Sequence, residues 1–346
     1  MKAAFIKSHG DLEQLKIGEL DAPQIKPNEV LIKTEFSALN HIDIFIIKGW
    51  PGLSLEMPHI LGSDGSGVIK KIGSAVTNIS IGDRVTINPG LSCGKCNYCL
   101  SGKQNFCKNF SIMGENQWGT FCEFFKVPEE NALLIPKDFS FELAAAAPLT
   151  FLTAWRALTT QANLKREDFV LIHGAGGGVS TAAIQIAKYL GAKVITTTSD
   201  SNKKKKAEEL GADYVINYKE NRDFGKTIYS EITKKKGVDV VLDSVGRDTF
   251  QNSLRLLRPG GCLVSPGATT GAISEIDIRQ IFWKQLKVVG STMSNQREFR
   301  EVMTLIFQKK LKPIIDKVFP LNEVRAAEKY LKEGNQFGKV LLKIID

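Results

Sequence analysis

FVLIHGAGGGVSTAAIQIAKYL, residues 169–190, is the stretch whose reading decides the fold. Phe169 to Ile172 is a short apolar run of a length that suits a strand buried on both faces. After His173-Gly174-Ala175-Gly176-Gly177-Gly178, the apolar positions Val179, Ala183, Ile186, Ala187 and Leu190 recur at helical spacing, and Gly191 can end the helix in a left-handed conformation. A strand, a glycine turn and an amphipathic helix in that order can bind a pyrophosphate. Small residues let the phosphates approach the backbone, and the helix N-terminus offers unpaired N–H groups with a favourable dipole. The strict G-x-G-x-x-G spacing fails, because the register that fits the helix start is Ala175-x-Gly177-x-x-Ser180. The surrounding elements therefore carry the inference, with Ala175, Gly176, Gly177, Gly178, Val179 and Ser180 as the candidate dinucleotide turn. A merely flexible glycine loop is the competing interpretation.

Downstream the alternation continues. Strands are expected at 193–197, 214–217, 238–243, 262–265 and 286–289, with helices at 203–210, 224–235 and 249–257 between them, a rhythm that predicts a parallel sheet covered on both faces. Upstream, helices are expected at 141–147 and 153–160. Before about residue 135 the pattern is instead short strands with Gly and Pro punctuation (30–36, 67–72, 84–87, 120–127), which reads as a compact all-β unit. A helix at 298–308 and a strand at 339–344 return the chain to that first unit.

An NAD-preferring site usually carries a carboxylate at the end of the second strand, where it meets the ribose hydroxyls. Thr198 stands there, and Ser199, Asp200 and Ser201 lead into Lys203-Lys204-Lys205-Lys206. Cations at a helix N-terminus oppose its dipole unless an anion lies beside them, and the 2′-phosphate of NADP(H) would be such an anion. A solvated lysine face is the alternative for three of the four.

The 346 residues are enough for two domains, and 43% hydrophobic content is ordinary for a globular chain. No stretch reaches the roughly 18–20 unbroken apolar residues of a membrane span. Lys7, His9 and Asp11 interrupt the first residues before a secretory signal could develop, so a cytoplasmic location and no membrane partner are expected. The formal charge of +9 is spread along the chain, and no aromatic residues interleave the lysine run, so nucleic acid ranks last among partners. Four of six cysteines form Cys93-x2-Cys96-x2-Cys99-x7-Cys107, with Gly94 and Gly102 permitting tight turns. Four thiolates suit a closed tetrahedral zinc site with no position open to substrate. The spacing disfavours an iron–sulfur cluster, and a reducing compartment disfavours disulfides. Cys122 and Cys262 lie in apolar stretches and read as packing.

Leu39-Asn40-His41-x-Asp43, Leu61-Gly62-Ser63-Asp64-Gly65-Ser66-Gly67, Gly82-Asp83-Arg84-Val85, the cysteine lobe, Ala145-Ala146-Ala147-Pro148-Leu149, Leu210-Gly211-Ala212-Asp213 and Val241-Leu242-Asp243-Ser244-Val245-Gly246 together resemble the medium-chain dehydrogenase/reductase superfamily, which includes zinc alcohol dehydrogenases and quinone oxidoreductases. The resemblance covers the whole chain. It implies an α/β protein with a GroES-like β domain at 1–152 and 291–346, a zinc lobe at about 90–110, and a Rossmann doubly wound parallel sheet at 153–290 that binds NADP(H).

Carried over residue by residue, the alcohol dehydrogenase pattern breaks at its catalytic metal. Asn40, Ser63 and Phe151 stand where it has a liganding Cys, a liganding His and a second Cys, and Asp64 alone keeps its acidic position. One carboxylate cannot hold a catalytic zinc. In the quinone oxidoreductase branch a Lys and a Tyr bind the 2′-phosphate, and Lys203 and Tyr218 match them. Asn40 and Thr153 match positions on the nicotinamide side, and Ser244, Val245, Pro266 and Gly267 fall at strand ends. The candidate catalytic set is Asn40 and Thr153 as hydrogen-bond donors to a developing oxyanion, and Asp43, whose structural role as an acceptor is at least as well supported. The reading is an NADP(H)-dependent reductase of quinones or activated alkenes, with one structural zinc and a homodimeric or homotetrameric assembly. An alcohol dehydrogenase and a cofactor-regulated nucleic-acid-binding protein are the alternatives.

Overall fold

In the computed structural model, which describes residues 1–345, Phe169–Ile172 is a strand and Gly178–Tyr189 is the helix behind its glycine turn. Six parallel strands flank and include it in the order Tyr214–Asn217, Lys193–Thr198, Phe169–Ile172, Val238–Leu242, Leu257–Ser265, Lys287–Gly290. Numbered along the chain this is 3-2-1-4-5-6, the doubly wound order whose ligands lie beyond the carboxyl ends of the strands where the winding reverses. Leu171, Ile195, Val241 and Leu263 from the strands pack with Ile228 and Leu254 from the helices, giving this sheet a core of its own.

Two of the expected helices end in wide turns, the one expected at 153–160 starting earlier and the one expected at 224–235 ending sooner. Pro148–Trp155 runs into Arg156–Gln161, and Phe224–Lys226 into Thr227–Ile232. In each a threonine hydroxyl takes a carbonyl of the helix: Thr159 Oγ1 donates to Trp155 O at 2.7 Å and Thr233 Oγ1 to Ile228 O at 3.0 Å, which opens the regular ladder. The strand expected at 262–265 begins at Leu257. The Pro259-Gly260-Gly261 turn appears inside it as a shift of register against Val238–Leu242.

The chain forms two compact units, Met1–Leu149 with the segment from Ser294 onward, and Thr150–Met293. The main sheet of the first runs Ala132–Leu134, Arg84–Ile87, Asp64–Ile72, Glu29–Ala38, Lys339–Lys343, Ile315–Pro320, with Phe124–Pro128 also pairing to Glu29–Ala38. A second sheet orders Lys16–Glu19, Lys2–Ile6 and His59–Ile60. This unit is not all-β, as the punctuation suggested. His41–Lys48 is a helix, begun by Asn40, whose backbone N–H donates to Asp43 Oδ2 at 2.7 Å. Asn40-x-x-Asp43 is thus an N-terminal box written with Asp in place of the usual Glu or Gln. The strand Ile315–Pro320 and helix Val324–Lys332 were likewise unexpected. Among the described residues no helix is long and apolar enough to cross a membrane.

Candidate active site

Strand pairing of Lys339–Lys343 with the end of Glu29–Ala38, and of that end with Asp64, gathers a buried polar cluster in the first unit. Lys339, 4% exposed, donates to Leu39 O (2.8 Å), Asn40 Oδ1 (2.6 Å) and Asp64 Oδ2 (3.1 Å), so each of its three protons has an acceptor. Asn40 Nδ2 donates to Asp64 Oδ2 at 2.9 Å and to Ala38 O at 3.2 Å. The other Asp64 oxygen accepts from Leu149 N at 2.8 Å. Lys339, Asn40 and Asp64 therefore form a closed triangle in which the ammonium and the carboxylate dictate which way the amide faces.

This triangle alters the expected role of Asn40. Its amide is fully engaged within the protein, and donation to a substrate oxygen would have to displace Asp64 or Ala38. Ser63, beside Asp64 and fully buried, is the opposite case: its hydroxyl has no hydrogen-bond partner among the described residues. Asp43 is an orienting group here, accepting from Asn40 N through one oxygen and from Gly62 N (3.2 Å) through the other. Burial above all pushes its pKa up to about 7, against the lowering effects of the Asn40 N–H and the Lys339 charge. Gly62 holds φ +97°, and a Cβ there would overlap the Phe121 ring. His59 gives one ring nitrogen to Gly114 O at 2.8 Å, and burial lowers its pKa. Phe151 and Thr153 lie buried on Pro148–Trp155, in the second unit.

Glu328, on Val324–Lys332, was not anticipated. It is fully buried and neither carboxylate oxygen has a hydrogen-bond partner among the described residues. Burial, reinforced by the nearby Asp43 charge and opposed by that of Lys339, raises its pKa well above 4.5, so folding favours its protonated form. A raised pKa in an acid means stability present below the unfolded value and lost as pH rises towards the folded one. Glu328→Gln is therefore expected to match the parent in thermal stability below about pH 4.5 and to exceed it increasingly above, at about 1.4 kcal/mol per pH unit separating the two pKa values. Melting curves from pH 4 to 8 test this. A difference that does not vary with pH would contradict it.

In the second unit the turn from Gly174 to Gly178 is held from behind. Ala175 N donates to Thr197 O (2.8 Å), and Ser180 Oγ donates to His173 O (2.8 Å). Ser180 thus braces the turn with its side chain. Gly178–Tyr189 starts without a side-chain cap, so its first amides stand ready for an anion, and a Cβ at Gly177 would find its nearest neighbour only at 3.6 Å. The chemistry and shape of this cradle fit the pyrophosphate of a dinucleotide. A polar chain missed by sequence reasoning underlies it. Asp243 accepts from Val245 N, Gly246 N, Thr249 Oγ1 and Ser253 Oγ, and Ser253 meets His173 at 3.0 Å. Ser244 and Val245 follow Val238–Leu242, and Pro266 and Gly267 follow Leu257–Ser265, all at carboxyl ends.

Thr198 ends its strand, and its carbonyl accepts from Tyr218 N at 2.9 Å, which brings Tyr218 beside the Ser199–Lys203 segment. An anion other than the expected phosphate already lies beside the lysines. Asp200 caps Ser201–Glu209, its Oδ1 accepting from Lys203 N at 2.8 Å, so the helix already has an anion at its N-terminus and the lysines do not require a phosphate to offset the dipole.

The four lobe sulfurs lie within 4.8 Å of one another, with Cys96–Cys99 at 3.5 Å and Cys93–Cys99 at 3.9 Å. All are free thiols, far beyond S–S bonding distance. Four thiolates about 2.3 Å from one zinc would stand about 3.8 Å apart, so the donor set fits that ion. The N–H groups of Lys95 and Cys96 lower the Cys93 pKa to about 6, favouring the thiolate. Gly94 and Gly102, at φ +70° and +72°, make the two turns. Among the described residues this is the only cluster of three or more potential ligand side chains; His59, Asp43 and Asp64 do not form one. Cys122 donates to Gly119 O and Phe124 O, and burial pushes its pKa up to about 12.

The zinc-binding dehydrogenase family matches residues 178–308, and the alcohol dehydrogenase GroES-like domain matches 26–137. A zinc-type alcohol dehydrogenase-like protein of Schizosaccharomyces pombe is 33% identical over 96% of both chains. An acryloyl-coenzyme A reductase of Sulfurisphaera tokodaii is 31% identical over 99% of this chain and 100% of its own. The solved structure of an NAD-dependent alcohol dehydrogenase is 39% identical, superposes with a TM-score of 0.95, and covers 100% of both chains.

Proposed function

This chain belongs to the medium-chain dehydrogenase/reductase superfamily and is an oxidoreductase by family, and we propose that it is an NADP(H)-dependent reductase of conjugated acceptors, quinones or α,β-unsaturated carbonyl compounds, with zinc confined to the cysteine lobe. The observation that carries this reading is the triangle at Asn40: two positions that would supply a catalytic metal with its ligands hold an amide tied to an internal ammonium and an unpartnered serine hydroxyl. The bound nicotinamide supplies hydride. Ser63 offers the oxyanion an uncommitted donor, Asp43 keeps Asn40 and Gly62 in place, and water can deliver the final proton. The acryloyl-coenzyme A reductase among the relatives, whose named substrate is a conjugated thioester, supports the same acceptor class.

An alcohol dehydrogenase remains the second reading, favoured by the 39%-identical structure of that name. A panel of acceptors and alcohols separates the two. For the cofactor, Lys203 and Tyr218 are proposed to hold the 2′-phosphate. NADPH should bind more tightly than NADH, and Lys203→Ala should narrow the gap about tenfold, the worth of one charge-assisted contact. Fluorescence titration with both cofactors measures it, and equal dissociation constants in the parent protein would overturn the assignment.

Assembly as a homodimer or homotetramer is proposed through the edge strand Lys287–Gly290 and the adjacent helix Ile278–Trp283, where Val288, Ile278, Phe282 and Trp283 are exposed together. Patches of this kind mark interaction surfaces. Light scattering should give at least twice the 38.2 kDa chain mass, and a single-chain mass would rule it out.

A further inference from the structure

We propose that Lys339 is a positioning residue of the reaction centre: its buried ammonium fixes the Asn40 carboxamide and the Asp64 carboxylate in one arrangement and holds their charge balance. The proposal rests on Asn40 and Asp64 bordering that centre, and not on which acceptor is reduced.

Four elements meet at this cation. The helix His41–Lys48 brings His41 and Asp43, the strand Asp64–Ile72 brings Asp64, the helix Val324–Lys332 brings Glu328, and Lys339 opens the last strand. Three carboxyl groups therefore share one lysine, and each ordinarily requires compensation to be buried. Lys339 supplies it directly to Asp64, and its charge also reaches Asp43, Glu328 and His41. The geometry does a second thing. An amide surrounded only by carbonyls and carboxylates would have no donor for Oδ1, whereas Lys339 provides one at 2.6 Å and leaves Nδ2 to face Asp64. With all three ammonium protons used inside the protein, Lys339 acts through these neighbours and touches no substrate. The residue is 299 positions from Asn40 in sequence, which is why no local motif reveals it.

The test uses the full-length zinc-loaded protein and whichever substrate pair the parent turns over fastest, so that a wrong acceptor class does not disturb it. Lys339→Met is expected to lower kcat about 10- to 100-fold, the effect of losing one charge-assisted contact, while KM for the cofactor changes less than about threefold. The acid limb of its pH–rate profile should move upward, because Asp43 and Glu328 lose the cation that lowers their pKa. Lys339→Arg should restore the position of that limb. Where Lys339→Met does not fold, the comparison is between Asp64→Asn, which retains Lys339 on Asn40, and the double variant Asp64→Asn/Lys339→Met, which removes the ion pair together. At matched melting temperature the double variant should be at least about tenfold slower in kcat. Equal kcat in those two proteins, or a Lys339→Met protein that turns over normally with an unmoved pH profile, would overturn the proposal and leave Lys339 a purely structural ion-pair partner. A parent protein that oxidises alcohols instead would overturn the function proposed above and leave this result readable.

Discussion

Cys96→Ser is expected to strip the cysteine lobe of its metal and to lower the melting temperature by about 10 °C or more, because binding energy at a structural zinc site is folding energy. The lobe has little regular structure of its own. Its regular elements are the four-residue helical turn Asn97–Leu100 and the three-residue turn Gln104–Phe106, and Tyr98, Leu100 and Phe106 all face outward. The parent protein should carry about one zinc per chain by elemental analysis, and the variant less than about a tenth of that. Limited proteolysis should then cut first near residues 93–107. The second unit has its own core, so cofactor binding should survive where the lobe does not. A variant that keeps its zinc, or loses it with no change in melting or proteolysis, would show that these four sulfurs do not form the site.

The parts of this protein that sequence made legible are those in which function and local pattern coincide. The strand-turn-helix at 169–190 could be read because strand, glycine turn and helix each have a period or composition of their own, and all agree. The cysteine lobe could be read because four soft ligands within fifteen residues suit a bound metal and little else. The helix His41–Lys48 was missed because its box uses Asp43 rather than a glutamate and its eight residues are too few to establish a period. Asp200 was seen in sequence without being recognised as the cap that offsets the lysines behind it. Lys339 and Glu328 were invisible for a different reason: a buried ammonium and a buried carboxyl look like any surface charge until strand pairing brings Lys339 against Asn40 and the helix Val324–Lys332 brings Glu328 near Asp43. The meaning of Asn40 changed with them, from a free donor to one corner of a closed triangle.

The acceptor's chemistry decides between the two functions. Interconverting a simple alcohol and its carbonyl compound demands strong polarisation of one oxygen and removal of a poorly acidic proton, work suited to a Lewis acid. In the first unit, Asn40 and Ser63, which the resemblance sets at two such ligand positions, offer an engaged amide and a serine hydroxyl. A conjugated acceptor demands less, since the incoming charge spreads onto an oxygen that ordinary hydrogen-bond donors can stabilise. The most direct measurement is a turnover panel of quinones, enals, enones and simple alcohols with NADPH and NADH, on protein of known zinc content, with and without mild chelation. At least one conjugated acceptor should be reduced about 100-fold or more faster than any simple alcohol is oxidised across pH, with NADPH preferred and activity indifferent to chelation that spares the lobe. Efficient alcohol oxidation by protein carrying two zincs per chain, lost on chelation and restored by zinc, with no turnover of conjugated acceptors, would contradict the proposed function.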